Sequence, residues 1–121
     1  MSVEISYTKA IANYTVKQNA TFRQKLKFSL KSALGVITAD TITNNDFTVR
    51  ISTQKDMGTV VKELTLTSGL SFEGTDTLVM LISAADMNFP AAVYYYDVHR
   101  TYNDGTVVIR PQGKFTVEAD V

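Results

Sequence analysis

No cysteine occurs in the 121 residues. Disulfides and thiolate metal sites are therefore excluded, and the redox compartment is left open. There is no tryptophan either. An antibody-type domain, which packs a tryptophan on its inter-sheet disulfide, is excluded by both absences. Net charge is missing too, since twelve Lys and Arg balance twelve Asp and Glu. No net field draws the chain to nucleic acid or to an anionic membrane. No run approaches the roughly 20 apolar residues of a membrane span. Met1-Ser2-Val3-Glu4 lacks the basic and apolar segments of a secretory leader, so synthesis in the cytoplasm is expected. The six glycines are scattered at turns, so no glycine-rich phosphate loop is present. Internal repeats, low-complexity segments and linkers are also absent.

What is present is β-sequence in quantity. The length implies one domain, residues 1–121, in which Val3 to Thr8 alternate partly as a first strand or 1–10 form an N-terminal arm. Ile11 to Val16 is a second strand candidate, followed by a polar turn at Lys17-Gln18-Asn19-Ala20. From Thr21 to Leu30 the period is two. Phe22, Leu26, Phe28 and Leu30 share one face, Gln24 being the exception, and Arg23, Lys25, Lys27 and Ser29 share the other. Lys31 to Asp46 has no clean period and reads as a contact loop anchored by Val36, Ile37 and Ile42. Phe47, Val49 and Ile51 alternate with polar residues. Val60 to Thr67 places Leu64 and Leu66 inward, and Thr77 to Ile82 is apolar enough for a central strand. Ser83 to Met87 suits a single helical turn capped by Ser83 and ended before Pro90.

The last third is the most regular. Tyr94, Tyr96 and Val98 share the core-like face of a strand, and Val93, Tyr95, Asp97 and His99 share the other. Asn103-Asp104-Gly105 is a hairpin turn, compatible with a two-residue Asp-Gly loop or a type I turn plus bulge. Pro111-Gln112-Gly113 interrupts the next run, and Phe115 and Val117 point inward in the final strand. About seven to eight short antiparallel strands with turns at this spacing predict an all-β sandwich. Tyr94 to Tyr96, following a short turn that contains Asp86, resembles the penultimate strand of immunoglobulin-like domains, which often carries a corner tyrosine.

Side-chain chemistry is sparse. Asp97 and His99 lie two apart on one strand face, a spacing that suits metal ligation or a base and its orienting group. His99 is the only histidine and no third ligand is placed by spacing, so no metal and no catalytic residue is assigned. Asp40, Asn44, Asn45 and Asp46 are oxygen-rich without EF-hand spacing, and turn formation is their expected role. No nucleophile-elbow pattern exists. The expectation is a protein without enzymatic activity or cofactor. Candidate partner contacts are Arg23, Lys25 and Lys27, with Arg50 as a candidate neighbour, together with Asp40, Asn44, Asn45, Tyr95 and Tyr102. The two tyrosines would suit a protein partner or a carbohydrate. Neutral net charge offers little resistance to self-association, so a homo-oligomer is expected.

Five segments carry a family resemblance. They are Gly69-Leu70, Leu78 to Asp86, Pro90 to Val98, Asn103 to Val107 and Gly113 to Val121. In this order they resemble small phage virion proteins related to the N-terminal domain of phage baseplate upper proteins. The likeness runs in outline from Ile11 to Val121 and is sharp from Ala92 onwards. It rests on the Tyr-Tyr-Asp-Val strand, the Asp-Gly hairpin and Phe-Thr-Val. Members often carry Arg-Gly-Asp before the long strand, where this chain has Gln18-Asn19-Ala20. The resemblance implies an immunoglobulin-like sandwich attached to a virion, on capsid, tail or baseplate, through other virion proteins. It implies no catalytic residue.

Overall fold

The computed structural model describes residues 4–6, 13–55 and 58–120. They form eleven strands: β1 (Glu4–Ser6), β2 (Tyr14–Lys17), β3 (Phe22–Lys27), β4 (Ser29–Ser32), β5 (Ile37–Ala39), β6 (Asp46–Ser52), β7 (Val60–Thr65), β8 (Leu70–Glu73), β9 (Thr77–Ile82), β10 (Ala92–Thr101) and β11 (Val107–Glu118). One sheet runs β2-β11-β10-β6-β7, a second runs β3-β9-β8, and a small third runs β1-β4-β5. The chain is an all-β, immunoglobulin-like sandwich. The second sheet has the order of the B, E and D strands, and β6, β10 and β11 stand where C, F and G do.

Alternation builds the core. Phe22 and Leu26 from β3, and Leu78, Met80 and Ile82 from β9, face Phe47, Val49 and Ile51 from β6 and Tyr94, Tyr96 and Val98 from β10. Aromatic rings close the space between the sheets. Phe22 meets Phe115 at 4.9 Å and Tyr14 at 5.6 Å, and Phe47 meets Phe72 at 5.9 Å between ring centres. As expected, β9 is the central strand of its sheet. Its outward Val79 is also buried, under a Lys25–Glu73 ion pair of 2.7 Å that links the two flanking strands.

Within the stretch Tyr94 to Tyr96, Tyr94 is the corner tyrosine. Its hydroxyl donates to the Pro90 carbonyl at 2.7 Å and pins the chain entering β10. Tyr94→Phe is expected to lower unfolding free energy by about 1 kcal/mol, the net worth of one hydrogen bond. Chemical denaturation followed by circular dichroism would measure it.

Deeper in the core, Tyr14 and Tyr96 share a side-chain hydrogen bond. Burial, with the Tyr14 phenol beside it, raises the Tyr96 phenol far above its ordinary value, and burial also raises Tyr14. Unfolded tyrosines ionise near pH 10, roughly. Above that the unfolded chain sheds protons that the folded chain keeps, so stability falls as pH rises. The contribution is complete below about pH 10 and is lost progressively above it. Tyr96→Phe is expected to flatten that decline in a stability-against-pH series.

Several expectations change. Among the described residues there are eleven strands where seven or eight were expected, and β2 runs parallel to β11, so the sandwich is not wholly antiparallel. The strand expected over Thr21–Leu30 divides at Phe28. Its N–H turns to the Asp76 carbonyl and its carbonyl to the Asp40 N–H, so the β3–β9 ladder ends at Lys27. The expected loop Lys31–Asp46 contains β5, paired with β4. Pro111 does not end a strand. Arg110 and Pro111 together face Val98 alone, a bulge within continuous β11 that tolerates a residue without an N–H. Ser83 to Met87 does form the expected single turn: the Ser83 carbonyl accepts from the Asp86 and Met87 N–H groups, and Ser83 Oγ caps it by accepting from the Asp86 N–H at 3.3 Å. Of the strand expected over Val3 to Thr8, or arm over 1–10, residues 4–6 pair with β4 and the remainder lies outside the described residues.

Candidate functional site

The partner-contact candidates separate into three places. Arg23, Lys25 and Lys27 are exposed on the outer face of the three-stranded sheet beside Leu81. Arg50 is not their neighbour. It lies on β6 in the other sheet, where its Nε donates to Glu63 at 3.1 Å.

Asp40, Asn45 and Tyr102 gather around one residue absent from the candidates, Arg100. It is 3% exposed at the end of β10. Its Nη1 donates to Asp40 Oδ2 at 2.6 Å, Nη2 to Asp40 Oδ1 at 3.1 Å, and Nε to Asn45 Oδ1 at 2.8 Å. The guanidinium carbon lies 4.4 Å from the Tyr102 ring centre and 5.5 Å from that of Phe28. Both Asp40 oxygens are thus consumed inside the fold, and the carboxylate is not offered to a partner. Asn44 alone of this group is exposed without a bond of this kind among the described residues. Alternation did signal the arrangement. Tyr94, Tyr96, Val98 and Arg100 have the same parity, so the arginine had to enter the core and find an acid.

This clamp fixes the base of a projecting hairpin. β4 and β5 are joined by a turn in which Ser32 and Gly35 bond to Val36 and Ser32, with Gly35 at φ +85°. The same construction closes β10–β11, where Gly105 sits at φ +89°. Both are three-residue loops with a left-handed glycine, which settles the type I plus bulge reading of Asp104-Gly105. Val36 and Ile37 were expected to anchor the loop inward. They are instead 57% and 53% exposed, and Leu34 at the tip is 89% exposed. The hairpin belongs to the small β1-β4-β5 sheet and not to either main sheet, and of the three expected anchors only Ile42, beyond its base, reaches the core.

Tyr95 occupies the third place, the outer face of the five-stranded sheet. Half-buried, it lines a groove of about 290 Å³ with Gln54, Lys55, Asp97, Gln112 and Lys114. Asp97 Oδ1 lies 3.0 Å from His99 Nε2, so the pair expected on one strand face is in contact. Among the described residues no three His, Cys, Asp or Glu side chains converge on a metal-sized space. Asp97 therefore orients His99, or is oriented by it, with no third ligand beside them.

No family model and no curated protein matches the chain. Among solved structures, CopC from Methylosinus trichosporium OB3b aligns over 100% of this chain and 97% of its own, at 14% identity and a TM-score of 0.46. That likeness carries no argument about function.

Proposed function

We propose that the chain is a non-enzymatic phage virion structural protein, a β-sandwich module that binds other virion proteins and acts as a homo-oligomer. Its place would be the capsid surface, as a decoration or head-attached protein, or the tail or baseplate, as an adaptor. The observation that carries the reading is the hairpin Ser29–Ala39. Its tip, Ala33 to Ala39, has no charge, and its three largest side chains stand in solvent. A protein that exposes such a feature on a rigid base gains by covering it. The β5 edge has no lysine, proline or bulge to discourage a further strand. Apolar burial and strand addition at this edge would supply the binding energy, and the sandwich would supply the orientation. The virion setting comes from the family resemblance.

The test is incorporation. A Leu34→Asp, Val36→Asp double variant should keep the melting temperature of the wild type, because both positions are exposed. It should also be lost from purified particles. Incorporation at the wild-type level would refute the hairpin as the contact.

A second reading, a receptor- or carbohydrate-binding module of a phage tail, is favoured by one observation. Tyr95 stands in a groove and not in the core.

A further inference from the structure

We infer that the groove on the outer face of the five-stranded sheet is a binding site for an acidic saccharide, a sugar ring bearing a carboxylate. The ring would rest on Tyr95, and its carboxylate would be met by Lys55 and Lys114. The site gives the carbohydrate-binding reading a ligand class and is independent of any virion contact.

Register places the parts. Tyr95 is directly opposite Lys114 on β11 and Ser52 on β6, and Asp97 is opposite Gln112. Side chains opposed in this way project from the same face as near neighbours. The floor of the groove is therefore two cross-strand pairs on adjacent central strands, a rigid setting. The β11 bulge at Arg110-Pro111 comes directly after the Asp97–Gln112 pair, where bulges commonly re-aim side chains. The volume, about 290 Å³, is at the small end for small-molecule sites.

The lining matches a sugar acid group by group. A tyrosine offers an apolar ring face to the C–H side of a pyranose and a polar hydroxyl at its rim. Gln54 and Gln112 each carry both donors and acceptors, as sugar hydroxyls require. Asp97, in contact with His99, keeps lone pairs for a further hydroxyl. Charge selects the acid. Lys25 pairs with Glu73 and Lys62 with Asp86, whereas Lys55 and Lys114 make no ion pair among the described residues. Among the described residues two ammonium groups thus oppose one carboxylate in the groove, a local surplus of positive charge on a neutral chain. A carboxylated sugar neutralises that surplus, whereas a neutral sugar leaves it standing.

Heteronuclear NMR titration of the whole chain with a glucuronic acid oligosaccharide tests the site. Its neutral glucose counterpart, acetate and inorganic phosphate are run in parallel. The acidic sugar should give saturable shifts at the amides of Tyr95 to Asp97 and Gln112 to Lys114. Tyr95→Ala should weaken binding up to about tenfold, the loss of one aromatic contact. Lys114→Gln, with a spectrum otherwise like the wild type, should weaken it severalfold and reduce its salt dependence. Binding of the neutral sugar at equal strength would overturn the acidic class. Equal saturable shifts with acetate or phosphate would reduce the site to an anion site and overturn the sugar. Silent groove amides, or two variants that bind like the wild type, would overturn the site itself.

Discussion

Arg100→Ala is expected to lower unfolding free energy by about 3–5 kcal/mol, the usual loss when one member of a buried ion pair is removed. The cost does not come from the attraction alone. Asp40 is 5% exposed, and without Arg100 its carboxylate stays in the core with no cation to face. Asn45 loses its donor at the same time, and the rings of Tyr102 and Phe28 lose the guanidinium packed on them. Against a total of about 5–15 kcal/mol for an ordinary domain, this is a large fraction. Asp40→Ala should be comparably costly, since it strands the opposite charge. Asp40→Leu combined with Arg100→Met removes both charges and should recover most of the loss, because well-packed apolar replacements of buried pairs are often neutral or better. Guanidinium unfolding followed by circular dichroism suits a chain without tryptophan. A midpoint unchanged in Arg100→Ala would mean that the clamp is not made in solution. Amide exchange should report the same event locally. Protection should fall first at β5 and at Asp40 to Asn45, since these are the segments that Arg100 ties to β10.

Phe115→Ala is the second large loss, also about 3–5 kcal/mol. Phe115 is fully buried near the middle of the sandwich, 4.9 Å from the Phe22 ring centre and 6.4 Å from that of Phe89. Those two rings belong to different elements, β3 and the segment before β10, and the gap cannot close without moving both. The transfer term and the cavity term therefore both count. Phe115→Leu, which refills most of the volume, should cost much less. If the two substitutions prove equally costly, ring packing across the sheets is not what Phe115 supplies. The phenylalanine of the Gly-x-Phe-Thr-Val segment thus has a structural role, as do Tyr94 and Tyr96 in the Tyr-Tyr-Asp-Val strand.

These effects show what a period of two can reveal. Inward Phe22, Leu26, Phe47, Val49, Ile51, Tyr94, Tyr96, Phe115 and Val117 all follow from alternation, and all are buried. A corner tyrosine within Tyr94 to Tyr96 and the shared strand face of Asp97 and His99 were also legible, because both are local, whereas the structure supplied the Tyr94–Pro90 bond and the Asp97–His99 contact. Long-range partners were not. Asp40 and Arg100 are 60 positions apart, and nothing in local pattern says which acid an inward arginine will find. The hairpin Ser29–Ala39 was hidden for another reason. Apolar Val36 and Ile37 were read as anchors, since composition cannot distinguish a buried valine from one projecting past the core. The groove escaped because its lysines and glutamines look like ordinary solvated residues until register sets them around Tyr95.

The central claim is that this sandwich serves as a part of a virion and makes its contacts through the projecting hairpin. Quantitative cross-linking mass spectrometry on purified particles tests it most directly. The account predicts the chain in a fixed copy number per particle, with cross-links from the Ser29–Ala39 region to another virion protein or to a second copy. Absence of the chain from purified particles would contradict the claim outright, and cross-links confined to the opposite end of the sandwich would contradict the role of the hairpin.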